Sequence, residues 1–295
     1  MKLLLTGATG FIGKALSTRL LSNGHSLVAS VRHSTDPSFL LEHNIKIYID
    51  TENIKSLAEF LITERIEGII HLASLYRKDH SLDDIPALLE SNIAFPARLL
   101  EAVKLSTSVK WFINTGTFFQ HFQQQVYSPV NLYAATKQAF EDLLIFYLET
   151  TPIKFITLKI NDTYGPNDTR LKILNLWKKY AESTDVLKMS PGEQIVDMIY
   201  IDDVVDGFEL MINHLSTKPA SFLPERCYAL SASERVTLRE LAQIYEEVSG
   251  LPLKIEWGAM PYRPREVMMP WSGGVRPPEW TPKVTLREGI AKLIS

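Results

Sequence analysis

Apolar residues along this chain gather into short dense runs, and between the runs they recur every three or four positions. Leu3-Leu4-Leu5, Ser26–Val31, Ile45–Ile49, Gly68–Leu72, Val109–Asn114 and Lys154–Ile160 have the length of buried strands. The stretches between them have the length and spacing of amphipathic helices, beginning with Phe11 to Leu21. Strand alternating with helix implies an α/β fold with a doubly wound parallel sheet, because parallel strands need a crossover and the crossover helices cover both faces. Farther on, Asp202–His214, Thr237–Gly250 and Thr285–Ile294 read as helices, with Pro261, Pro264, Pro270, Pro277, Pro278 and Pro282 crowded between the last two. That proline density fits either an ordered loop over a pocket or a plain surface connection. No internal repeat interrupts the pattern. Open sheets of this kind bind ligands at the carboxyl ends of their strands, which is where candidate chemistry belongs.

Composition narrows the classes of partner. The 295 residues suffice for one large domain carrying a smaller one, and a net charge of −3 without a basic run argues against nucleic acid. No apolar stretch approaches the ~20 residues of a membrane span, and Met1–Leu5 is too short for a signal peptide and is already used as a strand. A cytoplasmic location is therefore expected. The single cysteine, Cys227, lies in the apolar run Cys227-Tyr-Ala-Leu230 and reads as a structural thiol. No metal is expected.

The strongest local signal is Thr6-Gly-Ala-Thr-Gly-Phe-Ile-Gly13, in which Gly7, Gly10 and Gly13 join a strand to a helix. Glycines there allow a tight turn, close approach of backbone N–H groups to a pyrophosphate, and close packing of the helix whose positive end faces the phosphates. Thr9, Phe11 and Ile12 belong to the same loop. An NAD site usually carries an acidic residue about 20 positions on, at the end of the second strand, to bind the ribose 2′-hydroxyl. Here Arg32 and His33 follow Val31 instead. Arg32 suits a 2′-phosphate, which favours NADP(H) over NAD(H), with a solvated surface arginine as the plain alternative.

Tyr133 and Lys137, in Asn131-Leu-Tyr-Ala-Ala-Thr-Lys137, share one face of a predicted helix at i, i+4. A phenol with an ordinary pKa of ~10 is a poor proton shuttle at neutral pH, and an ammonium one turn away is expected to lower it. The rival is an ordinary half-buried tyrosine. Thr117, at the end of the strand Trp111–Thr117, is the candidate hydroxyl for holding the reacting oxygen, although threonine is common in strands on other grounds.

Taken in order, Gly7-x-x-Gly10-x-x-Gly13, His71-Leu-Ala-Ser74, Thr117, Tyr133-x-x-x-Lys137, Tyr164-Gly-Pro166 and Pro191-Gly-Glu193 through Tyr200-Ile-Asp-Asp203 resemble the extended short-chain dehydrogenases/reductases, the NAD-dependent epimerase/dehydratase family acting on nucleotide sugars. The resemblance covers nearly the whole chain. It implies a Rossmann-type dinucleotide-binding domain over residues 1–160, and a smaller substrate-binding lobe mainly over 161–295 with some segments returning to the first. It further implies Tyr133 as acid–base catalyst, Lys137 on the nicotinamide ribose, Thr117 on the sugar oxygen, and Asp50, Leu72, Ala73 and Asn92 along the cofactor. Asp162, Asn167, Arg170, Arg263, Arg265 and Glu266 lie where relatives hold the nucleotide diphosphate, without a ranking of Arg263 against Arg265. A homodimer through the helices around Leu88–Val103 and Tyr133–Leu148 is implied too, although a helix buried within one subunit has the same pattern.

The residues also bear on the reaction. Relatives that dehydrate the sugar follow the catalytic threonine with Asp-Glu, whereas Thr117 is followed by Phe118-Phe119-Gln120. Relatives that epimerise at C3 and C5 use an added cysteine and histidine. Cys227 is far from the matching position, and His121 alone is near. The segment Asn114–His121 with Pro129–Tyr133 resembles the 4-ketoreductases of deoxysugar pathways, such as CDP-abequose and CDP-paratose synthases. Phe118 and Phe119 suit the C–H faces of a deoxygenated sugar and equally suit an ordinary core. The expectation is NADPH-dependent reduction of a nucleotide-linked 4-keto sugar, against two alternatives: a 4-epimerase retaining NAD, and a non-catalytic sensor of NADP(H).

Overall fold

The computed structural model describes residues 1–294. In chain order the strands are β1 (Lys2–Thr6), β2 (Ser26–Val31), β3 (Lys46–Ile49), β4 (Gly68–His71), β5 (Trp111–Thr117), β6 (Lys154–Ile160), β7 (Asp162–Tyr164), β8 (Leu187–Met189), β9 (Ile195–Val196), β10 (Met198–Tyr200), β11 (Cys227–Leu230), β12 (Val236–Thr237) and β13 (Ile255–Trp257). The α-helices are α1 (Phe11–Ser22), α2 (Ser38–Glu42), α3 (Ile54–Thr63), α4 (Asp84–Leu89), α5 (Phe95–Leu105), α6 (Leu132–Thr150), α7 (Ile173–Ala181), α8 (Ile201–Thr217), α9 (Leu238–Ser249) and α10 (Leu286–Ile294), and a π turn, Glu90–Ala94, joins α4 to α5.

A seven-stranded sheet runs β3-β2-β1-β4-β5-β6-β11, every neighbouring pair parallel. This is the doubly wound, Rossmann-type α/β architecture that the alternating pattern implied. The order reverses between β1 and β4, opening the crevice at their carboxyl ends. β1 shows why its run is continuously apolar: Leu3 and Leu5 enter one core, and Leu4 enters the other with Leu57, Leu61, Leu99 and Val103 of α3 and α5. On the Leu3 side, α1 and α8 pack together, and Arg19 of α1 pairs with Asp206 at 2.7 Å and Glu209 at 3.1 Å. Local chemistry starts the helices where they start: the Asn53 side chain accepts from Ser56 N at α3, and Thr237 and Glu240 form a reciprocal cap at α9, which ends on Gly250 at φ 69°.

Residues after Ile160 build three small strand pairs, β7 with β10, β8 with β13 and β9 with β12, and also return to the main sheet through β11 and α8. α8 anchors the tail: the Asp203 carboxylate accepts from Lys283 N and Val284 N at 2.8 and 3.1 Å, and its carbonyl accepts from Trp280 Nε1 at 3.0 Å. The two- and three-residue strands carry too few positions to show a periodicity, and β11 shows in the sequence only as the apolar run Cys227–Leu230. The Cys227 thiol in β11 is pushed up to about 12 by burial, as a structural cysteine should be. Among the described residues no helix is long and apolar enough to cross a membrane.

Because Leu4 is fully buried between two layers, Leu4→Ala should lower unfolding stability by about 3 kcal/mol. Leu82→Ala, at a position 84% exposed, should stay within roughly 0.5 kcal/mol of the parent in the same denaturant titration.

Candidate active site

The loop after β1 owes its shape to two glycines. Gly7 has φ 73°, and a Cβ on it would lie 2.7 Å from the Ala73 nitrogen, where the chain leaves β4. A Cβ on Gly13 would lie 2.1 Å from the Gly7 carbonyl oxygen, so α1 can start this close only without a side chain there. Gly10, exposed and at the N-cap of α1, supplies no side-chain cap, and the first turn holds no acid. Backbone N–H groups at Phe11, Ile12 and Gly13 thus open a helix dipole toward the crevice, a cradle that fits a dinucleotide's phosphates. Thr9 is half-buried in the same loop.

Thr6 joins the two central strands at this edge. Its hydroxyl accepts from Ala73 N at 3.1 Å and contacts His71 Nδ1 at 2.8 Å, while Leu72 N donates to the Thr6 carbonyl. His71 is buried among Phe95, Phe112 and Phe140, and burial with the nearby Lys137 charge holds its pKa well below the ordinary value. The imidazole is therefore neutral.

Asn92, in the π turn, ties this edge to α6. Its Oδ1 accepts from Leu75 N at 2.8 Å and Ser74 Oγ at 3.3 Å, and its Nδ2 donates to the Leu75 carbonyl at 3.0 Å and Thr136 Oγ1 at 2.9 Å. Asn131 caps α6 by accepting from Ala134 N at 3.0 Å. Tyr133 then occupies the first turn, its phenol in hydrogen-bond contact with Ser74 and its ring edge-on to Tyr76 at 5.0 Å. Ser74 and Tyr76 were not among the sequence-derived candidates. The available signal was their place two and four residues beyond Leu72, in the segment that a parallel sheet turns into its crevice.

Lys137 lies one turn on, 2% exposed, and its ammonium has no hydrogen-bond partner among the described residues. A buried cation left open in this way fits ligand hydroxyls, such as those of a ribose. Burial pulls Lys137 down to about 8, Glu141 acting in the opposite direction. Burial also pushes Tyr133 up to about 12, with the Ser74 contact pulling the other way. The expected lowering of the phenol is thus corrected for the free protein: removing the phenolate from water raises it, and the opposing contribution comes from Ser74 rather than from Lys137.

Thr117 ends β5. Its Oγ1 accepts from Phe119 N at 3.3 Å, leaving the hydroxyl proton free to donate, and its own N–H donates to Gln120 Oε1 at 2.9 Å. Phe118 is buried edge-on to Trp271 at 5.4 Å, and Phe119 is half-buried. Trp271 also stacks on His121 at 3.8 Å, while Gln124 bonds the Met269 and Pro270 carbonyls and Ser272 N. The proline-rich segment is therefore an ordered strap held against the end of β5.

The remaining candidates separate into two kinds. Arg170 is clasped by Asp168 at 2.7 and 2.8 Å and lies 4.5 Å over the Phe11 ring, so it rivets the later chain to the glycine loop. Arg265 donates to Ser128 Oγ at 3.0 Å and covers the Phe122 ring. Arg263 stays exposed in a turn closed by Glu266 N on its carbonyl, and its charge acts on the Tyr76 phenol. Asp162 pairs with Lys172 at 2.6 Å, and Lys172 lies 5.2 Å over Tyr76. Asn167 is exposed with φ 63°, a turn residue. At the far edge, Arg32 is exposed at the end of β2, and Asp50 follows β3 with Arg98 3.6 Å away.

Comparison with known proteins agrees with this fold. CDP-abequose synthase of Salmonella muenchen is 27% identical over 100% of this chain and 97% of its own length, and that of Yersinia pseudotuberculosis is 28% identical over 92% of each. Among solved structures, UDP-glucuronic acid 4-epimerase from Bacillus cereus in complex with UDP-glucuronic acid and NAD superposes with a TM-score of 0.82 at 22% identity, covering 99% of this chain and 97% of that one. The UDP-glucose 4-epimerase of Thermus thermophilus, complexed with NAD, gives 0.80 at 21%, covering 100% and 98%. At that identity the two structures speak for the fold. With the glycine cradle, the Tyr133–Lys137 face and a match to the NAD dependent epimerase/dehydratase family over residues 3–222, the chain belongs to that family.

Proposed function

We propose that the protein reduces the C4 ketone of a nucleotide-linked deoxy sugar, a CDP- or GDP-linked 6-deoxy or 3,6-dideoxy-4-keto sugar, with NADPH, in the making of bacterial surface polysaccharide precursors. The observation that carries this reading is the placement of the Tyr133 phenol and the buried, unpartnered Lys137 amine on one face of α6 at the crevice of a dinucleotide fold. Full-length similarity to CDP-abequose synthases supports it.

Gly7, Thr9, Gly10, Phe11, Ile12 and Gly13 would hold the pyrophosphate, Arg32 the 2′-phosphate, Asp50, Leu72 and Ala73 the adenosine and ribose, and Lys137 the nicotinamide ribose. Bound there, NADPH supplies a hydride to the ketone carbon. Tyr133 donates its proton to the ketone oxygen, and Thr117, whose hydroxyl proton is free, orients that oxygen as a second donor, so negative charge does not build up on it. Lys137, as an ammonium, favours release of the phenol proton in the transition state. A phenol raised to about 12 remains protonated at neutral pH, the state a reductase requires. Asn92 acts through position: all its polar atoms are engaged with protein, and it sets Ser74 against Tyr133.

Segments after Ile160 would hold the nucleotide diphosphate, with Arg263, Asp162 and Lys172 facing the substrate and Arg265 supporting the 118–130 loop. Phe118 and Phe119, backed by Trp271, form an apolar wall in place of the Asp-Glu pair of dehydratases. Leu89, Leu143 and Phe146, exposed on α4 and α6, are the face on which a second copy would dock to make a homodimer. A 4-epimerase would retain NAD through purification and consume none, and a sensor would turn over no sugar.

Three outcomes are expected. With CDP- and GDP-linked 4-keto-6-deoxy sugars, NADPH absorbance should fall and NMR should show a C4 alcohol, while Tyr133→Phe should cut kcat by at least about a hundredfold; undiminished turnover would remove Tyr133 as the donor. Arg32→Ala should weaken NADPH binding roughly tenfold or more and leave NADH nearly unchanged, as loss of a charge-assisted contact predicts. Since Lys137 is protonated below its pKa of about 8, reduction should be level below that pH and decline as pH rises through it.

A further inference from the structure

α6 carries a second charged side chain on the face of Tyr133 and Lys137. Glu141 follows Lys137 by four residues, so the two stand one turn apart on the same side of the helix. The sequence reading did not single it out, and the proposed reaction does not use it directly.

Its surroundings are specifically built. Lys159 of β6, 4% exposed, pairs with the Glu141 carboxylate at 3.3 Å. Gln120 Nε2 donates to Glu141 Oε1 at 3.0 Å, while Gln120 Oε1 accepts from Thr117 N at 2.9 Å. β5 makes room with Gly116: a Cβ there would lie 2.7 Å from Glu141 Oε1 and 2.8 Å from Lys159 Cγ. On its far side Lys159 meets His121 Nε2 at 2.7 Å, and His121 Nδ1 lies 3.1 Å from the Gln125 carbonyl, so Nδ1 bears the proton and Nε2 accepts. Burying a carboxylate and two potential cations is costly, and it persists here because each is paired or neutral.

We propose that Glu141 is a positioning residue for the acid–base pair: its carboxylate keeps Lys137 in the ammonium form and, through Gln120, sets the backbone at Thr117. One anion thereby serves both groups that flank the reacting oxygen. The inference rests on the reading of Tyr133 and Lys137 as the acid–base pair.

The groups facing this site leave Glu141 as the source of the effect. On α6 Lys137 faces Tyr133, which stays a neutral phenol; from β4 it faces His71, which is neutral and buried. Around Glu141 stand Lys159 from β6, neutral His121 from the loop after β5, and the un-ionised Cys227 thiol from β11. Burial drives Lys137 toward the free amine, and Glu141 opposes it.

The test is a pH titration by NMR of protein labelled at lysine Cε, with the Lys137 signal assigned by its loss in Lys137→Arg. The parent should titrate near about 8. In Glu141→Gln, which keeps an acceptor for Gln120 and removes only the charge, the midpoint should fall by about one pH unit, the size of effect a nearby opposite charge exerts. The alkaline limb of ketone reduction should move down with it, and Glu141→Asp should restore both. Because Glu141→Gln leaves Lys159 without its anion, Glu141→Gln/Lys159→Met serves as a second variant, with the same expected fall. A midpoint unmoved in both variants overturns the proposal. A midpoint that falls in a protein reducing no keto sugar supports the electrostatic role of Glu141 and refutes the ketoreductase reading instead.

Discussion

The crevice depends on one buried carboxamide. Asn92 makes four hydrogen bonds, two as acceptor and two as donor, and every partner belongs either to the segment leaving β4 or to the first turns of α6. Without it, half-buried Leu75 would lose both of its backbone partners and exposed Ser74 would lose the acceptor that orients its hydroxyl. The π turn gives this its geometry, since the extra residue in the helical turn lets Asn92 reach across to both elements. Proximity of Ser74 to Tyr133 is a consequence of that clasp.

Burial then decides the charges. Tyr133 and Lys137 are both driven toward their neutral forms, the phenol upward and the ammonium downward, because each loses water that stabilised its ion. The phenol is thereby kept protonated in the free protein and is a weaker acid than an exposed tyrosine. A charge left open at Lys137 is costly in the free protein, a cost that ligand hydroxyls bound there would relieve.

The later half of the chain completes the crevice. β11 closes the sheet beside β6, α8 covers α1, and the strap around Trp271 packs on His121 and Phe118 at the end of β5. Arg170 over Phe11 crosses from that half to the glycine loop. Segments distant in sequence thus meet at the carboxyl edge, and the two halves share one continuous core.

Local spacing determined the strand–helix alternation, the glycine loop and the i, i+4 pairing of Tyr133 with Lys137, because each depends on residues within two turns of one another. The family resemblance extended that reading to the chain as a whole. Tertiary structure alone decided that Ser74 meets Tyr133, that Arg170 and Arg265 are held by protein partners while Arg263 stays open, and that Glu141 pairs with Lys159 across Gly116. It also reversed the sense of the phenol's pKa, since desolvation depends on what the whole fold packs around a side chain, and no spacing along the chain records that.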